Sequence, residues 1–250
     1  IRAGRVGLLA PAGGTGGRFG GYGVPESDVR RQKALAPVLR VAERMLCSLD
    51  IRLANALWWR SELGARLPLA VMAGPTNVSA IAGWHSQQVR TFGARTCDVY
   101  QQHGTYRLDA ESLSTVHVGG AWRWVDHVLR GPDGTPLLKP PGNLGALASM
   151  AISGLYRRWR HDGVDVLVLA NGDDAGFRLD PRVVGHLLAH DLDAVVLGVP
   201  DGTPGGAFRG GGVICEVERE AGWRVAVVEK VAAPNEPLAD TLFSTNQLYL

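Results

Sequence analysis

Short apolar runs and segments of helical periodicity take turns along most of the chain. Runs that end in Pro, Gly or a polar cluster predict buried strands at 6–10, 66–74, 96–101, 165–170 and 193–199. Apolar residues at helical spacing predict an amphipathic helix over 38–57 and further helices over 78–89, 144–159 and 181–190. The remaining extended segments predict a β-hairpin over 122–139, a second hairpin that joins 211–217 to 223–230, and a last strand over 242–250.

This alternation of strands and helices predicts an α/β domain with a mainly parallel central sheet and peripheral β-hairpins. Ligands bind such sheets beyond the carboxyl ends of the strands. Two unusual loops follow predicted strands: a glycine-rich loop after 6–10, and “NGDDAG” after 165–170. Both loops are therefore expected on the same rim of the sheet.

The first loop, “AGGTGGRFGG”, has the composition of a phosphate-binding nest, because closely spaced glycines let consecutive backbone amides turn toward one anion. Arg18 adds a guanidinium and Lys33 a point charge for the same phosphates. The loop is not a P-loop, since no GK[ST] follows. It is not a dinucleotide fingerprint either, since 20–27 continues as loop instead of opening a helix. On these residues alone, a flexible turn is an equal alternative.

Composition places the chain among ordinary globular proteins. Of its 250 residues, 46% are hydrophobic and 20% charged, and a net charge of +2 is too small to imply nucleic acid. Three scattered cysteines argue against a disulfide framework or a zinc site and fit a reducing cytosol. No apolar run reaches the about 18 residues that a membrane span needs. We therefore expect a cytoplasmic protein without nucleic-acid or membrane partners.

Six segments, in order, resemble motifs of the UDP-sugar pyrophosphorylase family, that of eukaryotic-type UTP–glucose-1-phosphate uridylyltransferase. “AGGTGGRFG”, with a lysine in “QKALAPV”, is similar to AGG-x-G-[TS]-R-[LF]-G followed by P-K. “PLAVMAGPT”, “YQQHGTYRLD” and “LLKPPGNLGALASMAISGL” are similar to three further family segments. “LVLANGDDAGFRLDP” resembles F-V-S-N-x-D-N-L-G-x-x-x-D-P, and “LFSTNQLYL” resembles F-N-T-N-N-[IL]-W. The resemblance implies a Rossmann-like, GT-A-like nucleotidyltransferase fold.

The resemblance also implies a reaction: a sugar-1-phosphate oxygen attacks the α-phosphorus of a nucleoside triphosphate, expected to be UTP, and pyrophosphate leaves. It implies Mg²⁺ as the cofactor, with Asp173 as its ligand. The implied catalytic residues are Arg18, Lys33 and Asp173. The implied nucleotide-binding residues are Ala12, Gly13, Gly14, Thr15, Gly16, Gly17, Gln102, Pro141, Gly142, Asn171 and Gly172. The implied substrate-binding residues are Asn143, Asp174, Gly206 and Asn246.

Several positions depart from the family pattern. Asn143 stands where the family has His, and Asp174 where it has Asn, so Asp174 is open to roles as a second metal ligand, a ribose contact or a turn residue. The insertion “GGYGVPESDVRRQ” lengthens the gap before Lys33. These departures keep open GTP or ATP as the nucleotide and a cyclitol 1-phosphate of secondary metabolism as the acceptor. A non-catalytic nucleotide-binding domain is the alternative from another class.

We expect residues 1–250 to form a single nucleotidyltransferase catalytic domain. The C-terminal β-domain of the family, and its second lysine beyond the last of the six segments, have no counterpart here. We therefore expect the sequence to be a truncated or gapped version of a longer polypeptide. The expected partners are a nucleoside triphosphate and a sugar or cyclitol 1-phosphate, and a homodimer is one option for the oligomeric state.

Overall fold

The computed structural model of the chain describes residues 1–13, 32–64, 66–93, 97–106, 115–118, 121–124, 128–139, 142, 144–200, 212–219, 222–229 and 242–250. These residues contain a 3₁₀ turn at Lys33–Leu35 and the helices α1 (Ser48–Leu63), α2 (Val78–Phe92), α3 (Leu144–Ile152), α4 (Leu155–His161) and α5 (Pro181–Ala189). Their strands are β1 (Val6–Pro11), β2 (Pro37–Val41), β3 (Arg44–Cys47), β4 (Leu69–Ala73), β5 (Asp98–Gln101), β6 (Thr105–Tyr106), β7 (Thr115–Val118), β8 (Ala121–Trp124), β9 (Leu138–Lys139), β10 (Val166–Leu169), β11 (Val195–Pro200), β12 (Gly212–Arg219), β13 (Gly222–Glu229) and β14 (Leu242–Tyr249).

A mixed sheet forms the centre of the fold, in the order β13-β12-β14-β10-β1-β4-β5 with β11 beside β14. Its central part, β10-β1-β4-β5, is parallel throughout. β14 pairs antiparallel with β10, β11 and β12, and β12 and β13 form an antiparallel hairpin. The predicted α/β architecture, with a mainly parallel central sheet and added hairpins, is confirmed.

Helices cover both faces of the parallel strands. On one face, α1 and α2 bury side chains such as Leu53 and Ile81 in a core that also includes residues of α5. On the other face, α3 and α4 bury Met150 and Trp159. A Cβ on Gly7, the second residue of β1, would collide with the Trp159 ring. The glycine in this buried strand is therefore a packing requirement of α4.

The predicted helix over 38–57 is wrong in its first half. Residues 37–47 form the antiparallel hairpin β2–β3, and α1 begins only at Ser48. The apolar residues of this hairpin match helical spacing but stay exposed, Val41 at 51%, so no core contact holds them in a helix. The two-residue turn begins at Ala42 with a φ of 51°, a conformation typical of glycine. An alanine there gives no turn signal in the sequence.

Two other predictions are confirmed only in part. The segment 144–159 forms two helices, α3 and α4, because the chain leaves the helix at Gly154, whose φ is 76°. The hairpin over 122–139 keeps its turn, closed by one antiparallel bridge between Arg130 and Pro136. Its arms pair elsewhere, β8 with β7 and β9 with β6. The other predicted strands and helices form within a few residues of their expected positions.

None of the helices in the described ranges combines the length and the apolar character that crossing a lipid bilayer requires.

Candidate active site

The carboxyl ends of the parallel strands meet at one rim of the sheet. β1 leads into Ala12 and Gly13, where the glycine-rich loop begins, and β10 leads into the loop 171–174. The two segments touch: the Gly172 N–H donates to the Pro11 carbonyl at 2.8 Å. A Cβ on Gly172 would also lie 3.0 Å from the Cβ of Ala12. The two loops that the sequence singles out therefore start side by side.

Lys33 and Asp173 lie next to each other on this rim. Lys33 Nζ is 3.5 Å from Asp173 Oδ2, and the two side chains are 39% and 36% exposed. Lys33 opens the 3₁₀ turn before β2, whereas Asp173 follows β10, so only the fold brings them together. A cation and a carboxylate that are both accessible from solvent can each exchange their present partner for a ligand.

Gln102, Gly142 and Gly13, three of the predicted nucleotide-binding residues, form a tight cluster. Gln102 follows β5, is 1% exposed, and donates its Nε2 to the Gly142 carbonyl at 2.6 Å. Its Oε1 would lie 2.9 Å from a Cβ placed on Gly13. Gly74, after β4, approaches so closely that a Cβ on it would collide with the Gly13 carbonyl. Glycine at 13 and 74 is needed because any side chain would push these strand ends apart.

Asn77 joins these strand ends, although no sequence pattern singled it out. Its side chain is 2% exposed. Nδ2 donates to the Ala12 carbonyl at 2.7 Å and to Gln32 Oε1 at 3.1 Å, and Oδ1 accepts from the Gly74 N–H at 2.7 Å. One amide thus connects the ends of β1 and β4 to the residue before Lys33. The available signal was an Asn directly before a predicted helix, which normally indicates only an N-cap.

The loop after β10 rests on the first turns of α1. Ser48 Oγ donates to the Asp173 carbonyl at 3.3 Å. Arg52 Nη2 donates to the Asn171 carbonyl at 2.8 Å and to the Asp174 carbonyl at 3.2 Å. Side chains of α1 therefore hold the backbone of the loop on its inner side, while the Asp173 carboxylate remains on the exposed side with Lys33.

Arg52 is itself deeply buried, at 4% exposure. Its guanidinium carbon lies 3.9 Å from the centre of the Phe177 ring, a cation–π contact. Burial lowers the pKa of Arg52 to about 10, and the nearby charges of Asp174 and Asp173 act in the opposite direction. The side chain is therefore still charged at neutral pH. Arg52 carries no signal in the sequence because it lies among the apolar positions of a predicted helix.

Asp174 has a turn function in this loop. Its Oδ1 accepts the Gly176 N–H at 3.0 Å, and its own N–H donates to the Asn171 carbonyl at 3.0 Å. Of the three roles left open by the sequence, the structure shows the turn. Metal binding and a ribose contact stay predictions.

The other predicted site residues are placed only by backbone or not at all. β14 runs antiparallel to β10, with Val168 opposite Tyr249 and Leu169 opposite Leu248. Residues of β14 that precede Leu248 therefore lie toward the carboxyl end of β10, which places Asn246 on the rim side. The following predicted residues fall outside the described part of the chain: Gly14, Thr15, Gly16, Gly17, Arg18, Pro141, Asn143 and Gly206. Their roles stay predictions.

Two cysteines in the described ranges, Cys47 and Cys97, are free and buried. Burial raises the pKa of each thiol to about 12. Because the thiolate is the reactive form, neither of the two is a nucleophile at neutral pH.

Solved structures of pyrophosphorylases are among those that match this fold. A UDP-N-acetylglucosamine pyrophosphorylase from Trypanosoma brucei, in complex with an inhibitor, matches with a TM-score of 0.70 and 18% identity over 98% of this chain and 47% of that one. A mutant UDP-glucose pyrophosphorylase from Leishmania major, in complex with UDP-glucose, matches with a TM-score of 0.69 and 15% identity over 99% and 50%. A UDP-glucose phosphorylase from Trypanosoma brucei matches with a TM-score of 0.69 and 16% identity over 98% and 48%. No protein-family model and no curated protein matches the sequence.

These likenesses show the fold. The chain has the nucleotidyltransferase fold of the UDP-sugar pyrophosphorylases, as the resemblance implies. It spans about half the length of each of these solved chains.

Proposed function

We propose that this chain is a nucleotidyltransferase of the UDP-sugar pyrophosphorylase type, which joins a sugar 1-phosphate to a nucleoside triphosphate, with UTP as the expected nucleotide. The observation that carries the proposal is the 3.5 Å separation of Lys33 Nζ and Asp173 Oδ2 beside the start of the glycine-rich loop. The six resembling segments and the shared fold support it.

The reaction needs positioning and charge neutralisation more than covalent help from the protein. A phosphate oxygen of the sugar 1-phosphate forms a bond to the α-phosphorus of the nucleotide. The bond that breaks is the one between this phosphorus and the oxygen that bridges the α- and β-phosphates. Pyrophosphate leaves with the bonding electrons. Lys33 is suited to hold the phosphate oxygens on which negative charge accumulates, since a fixed ammonium stabilises that charge in the transition state.

The donor set on the rim fits a Mg²⁺ ion that binds together with phosphates. In the described part of the chain, no group of three or more His, Cys, Asp or Glu side chains is placed to hold a metal. Asp173 offers one partly exposed carboxylate, and Mg²⁺ is commonly bound through one or two carboxylates plus substrate phosphates and water. Asp173 would hold the ion, which when bound neutralises phosphate charge and polarises the phosphoryl group.

The cluster of Gly13, Gly74 and Gln102 carries no charged side chain, and we assign the nucleoside to this side of the rim. The two glycines face each other there, because a Cβ on either would separate the ends of β1 and β4. The rim thus offers an uncharged side for the nucleoside and a charged pair for the phosphates. The departures at Asn143 and Asp174 make a cyclitol 1-phosphate the second choice of acceptor.

Pyrophosphate release tests the proposal. The chain is incubated with Mg²⁺, each of UTP, GTP, ATP and CTP, and each of glucose 1-phosphate, N-acetylglucosamine 1-phosphate and inositol 1-phosphate. We expect release with UTP and a sugar 1-phosphate. Release only with inositol 1-phosphate would make the cyclitol the acceptor, and release with another nucleotide would change the base. Nucleotide binding in calorimetry without any release would indicate a non-catalytic binding domain.

Replacement of Gln102 by Ala is expected to relax the choice of base more than it slows the reaction. The change removes the hydrogen bond to the Gly142 carbonyl and the amide beside Gly13, so it loosens the nucleoside side of the rim. We expect the ratio of kcat/KM for UTP to that for the other nucleotides to fall about tenfold or more, as for loss of a 1–3 kcal/mol contact.

Gln101→Ala is the matched control, because Gln101 is the neighbouring residue at the end of β5 and its side chain is exposed. It removes the same amide from the opposite side of the strand. An equal loss of kcat/KM for all four nucleotides in Gln102→Ala would contradict a role in base choice.

A further inference from the structure

The carboxylate that is proposed to hold the metal lies on a loop with little secondary structure of its own. Asp173 follows β10 directly, and the next helix, α5, begins only at Pro181. Its carboxylate is partly exposed and lies 3.5 Å from Lys33 Nζ. Because an ion pair this exposed is weak, the backbone of the loop has a large part in fixing the direction of this carboxylate.

Three carbonyls of this loop point toward α1. Those of Asn171 and Asp174, on either side of Asp173, accept from one nitrogen of Arg52, at 2.8 and 3.2 Å. The carbonyl of Asp173 accepts from Ser48 at 3.3 Å. Because the carbonyls are bound on the inner side, the loop closes around the guanidinium and presents the Asp173 side chain outward.

We propose that Arg52 is a positioning residue, which fixes the loop 171–174 so that the Asp173 carboxylate is preorganised for a metal–nucleotide complex. The inference rests on the proposed function of the rim. In this assignment Arg52 touches neither substrate nor metal. It acts through the backbone on both sides of Asp173, the residue that would hold the metal.

The surroundings of Arg52 explain why an arginine suits this position. Stacking on Phe177 at 3.9 Å holds the plane of the guanidinium, and the planar group is desolvated more easily than an ammonium. The side chain is 4% exposed, and its loss would remove one donor from each of the two carbonyls. Both carbonyls also accept within the loop, from the Asp174 N–H at 3.0 Å and from the Phe177 N–H at 3.4 Å. What the loop would lose is the pair of hydrogen bonds that ties these carbonyls to α1.

The test compares Arg52→Met with Arg60→Met. Arg60 is the matched control, because it lies on the same helix, is also partly buried, and donates its Nε to a backbone carbonyl, that of Leu67, at 2.8 Å. Leu67 precedes β4 and lies outside the loop. Arg52→Lys is the third variant, since it keeps the positive charge and some hydrogen-bond donors. It keeps the test decisive if Arg52→Met does not fold.

Two readouts are measured, and neither depends on turnover. Hydrogen–deuterium exchange of the free protein reports the amides of Asp174, Ala175 and Gly176, which are hydrogen-bonded within the loop. Calorimetry with UTP and Mn²⁺, in place of Mg²⁺, reports the affinity for the metal–nucleotide complex. For Arg52→Met we expect faster exchange in this loop and an affinity about 10- to 100-fold weaker, the range for residues that support metal ligands.

Arg60→Met is expected to keep both loop exchange and affinity, and Arg52→Lys to lie between wild type and Arg52→Met. Equal affinity in Arg52→Met and Arg60→Met, with a wild-type chain that binds UTP and Mn²⁺, would overturn the inference alone. Faster exchange without a change in affinity would overturn it as well. A wild-type chain that binds no metal–nucleotide complex would overturn the proposed function together with this inference.

Discussion

Asp173→Ala is expected to lower kcat by about 10³-fold, the upper end for removal of one electrostatic group from an active site. The carboxylate is the one that we assign to the metal, and alanine offers no oxygen in its place. The fold should survive, because the side chain is 36% exposed and the contact with Ser48 uses the backbone carbonyl of Asp173. Pyrophosphate release gives kcat, and thermal unfolding gives Tm.

Asp165→Ala is the control for this experiment. Asp165 precedes β10, at the opposite end of the same strand, and its carboxylate pairs with Arg5 and Arg160. The variant loses the same charged group and two surface ion pairs but nothing on the rim, so we expect kcat to stay at the wild-type value. A near-normal kcat in Asp173→Ala would show that the metal is held elsewhere.

Lys33→Met is expected to lower kcat/KM by about 10²- to 10³-fold, because it removes a fixed positive charge from the place where the phosphates develop negative charge. Methionine keeps most of the length and apolar stem of the side chain, so the 3₁₀ turn should be retained. Steady-state rates at varied nucleotide concentration check this result. They also separate a loss in kcat, which indicates a transition-state contact, from a rise in KM, which indicates ground-state binding.

Arg40→Met removes a cation from the same segment without touching the rim. Arg40 lies on the hairpin β2–β3, is 68% exposed, and pairs with Glu43 at 3.4 Å. Similar losses in both variants would mean that Lys33 acts only through the overall charge of the segment. A rate in Lys33→Met close to wild type would remove Lys33 from the catalytic assignment.

The strand pattern predicted the sheet well because its central strands are continuous apolar runs. β1, β4 and β10 are almost completely buried, and burial on both faces leaves little choice of residue. The rule that parallel strands end on one rim then brought the start of the glycine-rich loop and Asp173 together from sequence alone. The closeness of Lys33 to Asp173 needed the family resemblance as well, since no periodicity connects a residue before β2 to one after β10.

What the sequence missed depends on contacts between distant segments. The turn of the β2–β3 hairpin begins at Ala42, whose positive φ is tolerated in the fold but has no residue signature. Asn77 and Arg52 donate to backbone carbonyls. Every residue has a backbone carbonyl, so such a contact leaves no recognisable motif in the sequence. Such supporting residues become visible only when the chain is folded.

The separation of 3.5 Å between the Lys33 ammonium and the Asp173 carboxylate has a consequence for how substrates enter. The two groups serve as counter-ions for each other, so each offsets the charge of its partner on the rim. An ion pair this exposed stabilises the protein by at most about 1 kcal/mol, so the two groups separate easily. Under the proposed function, a metal-bound triphosphate would replace both partners together, since Lys33 would bind phosphate and Asp173 would hold the cation.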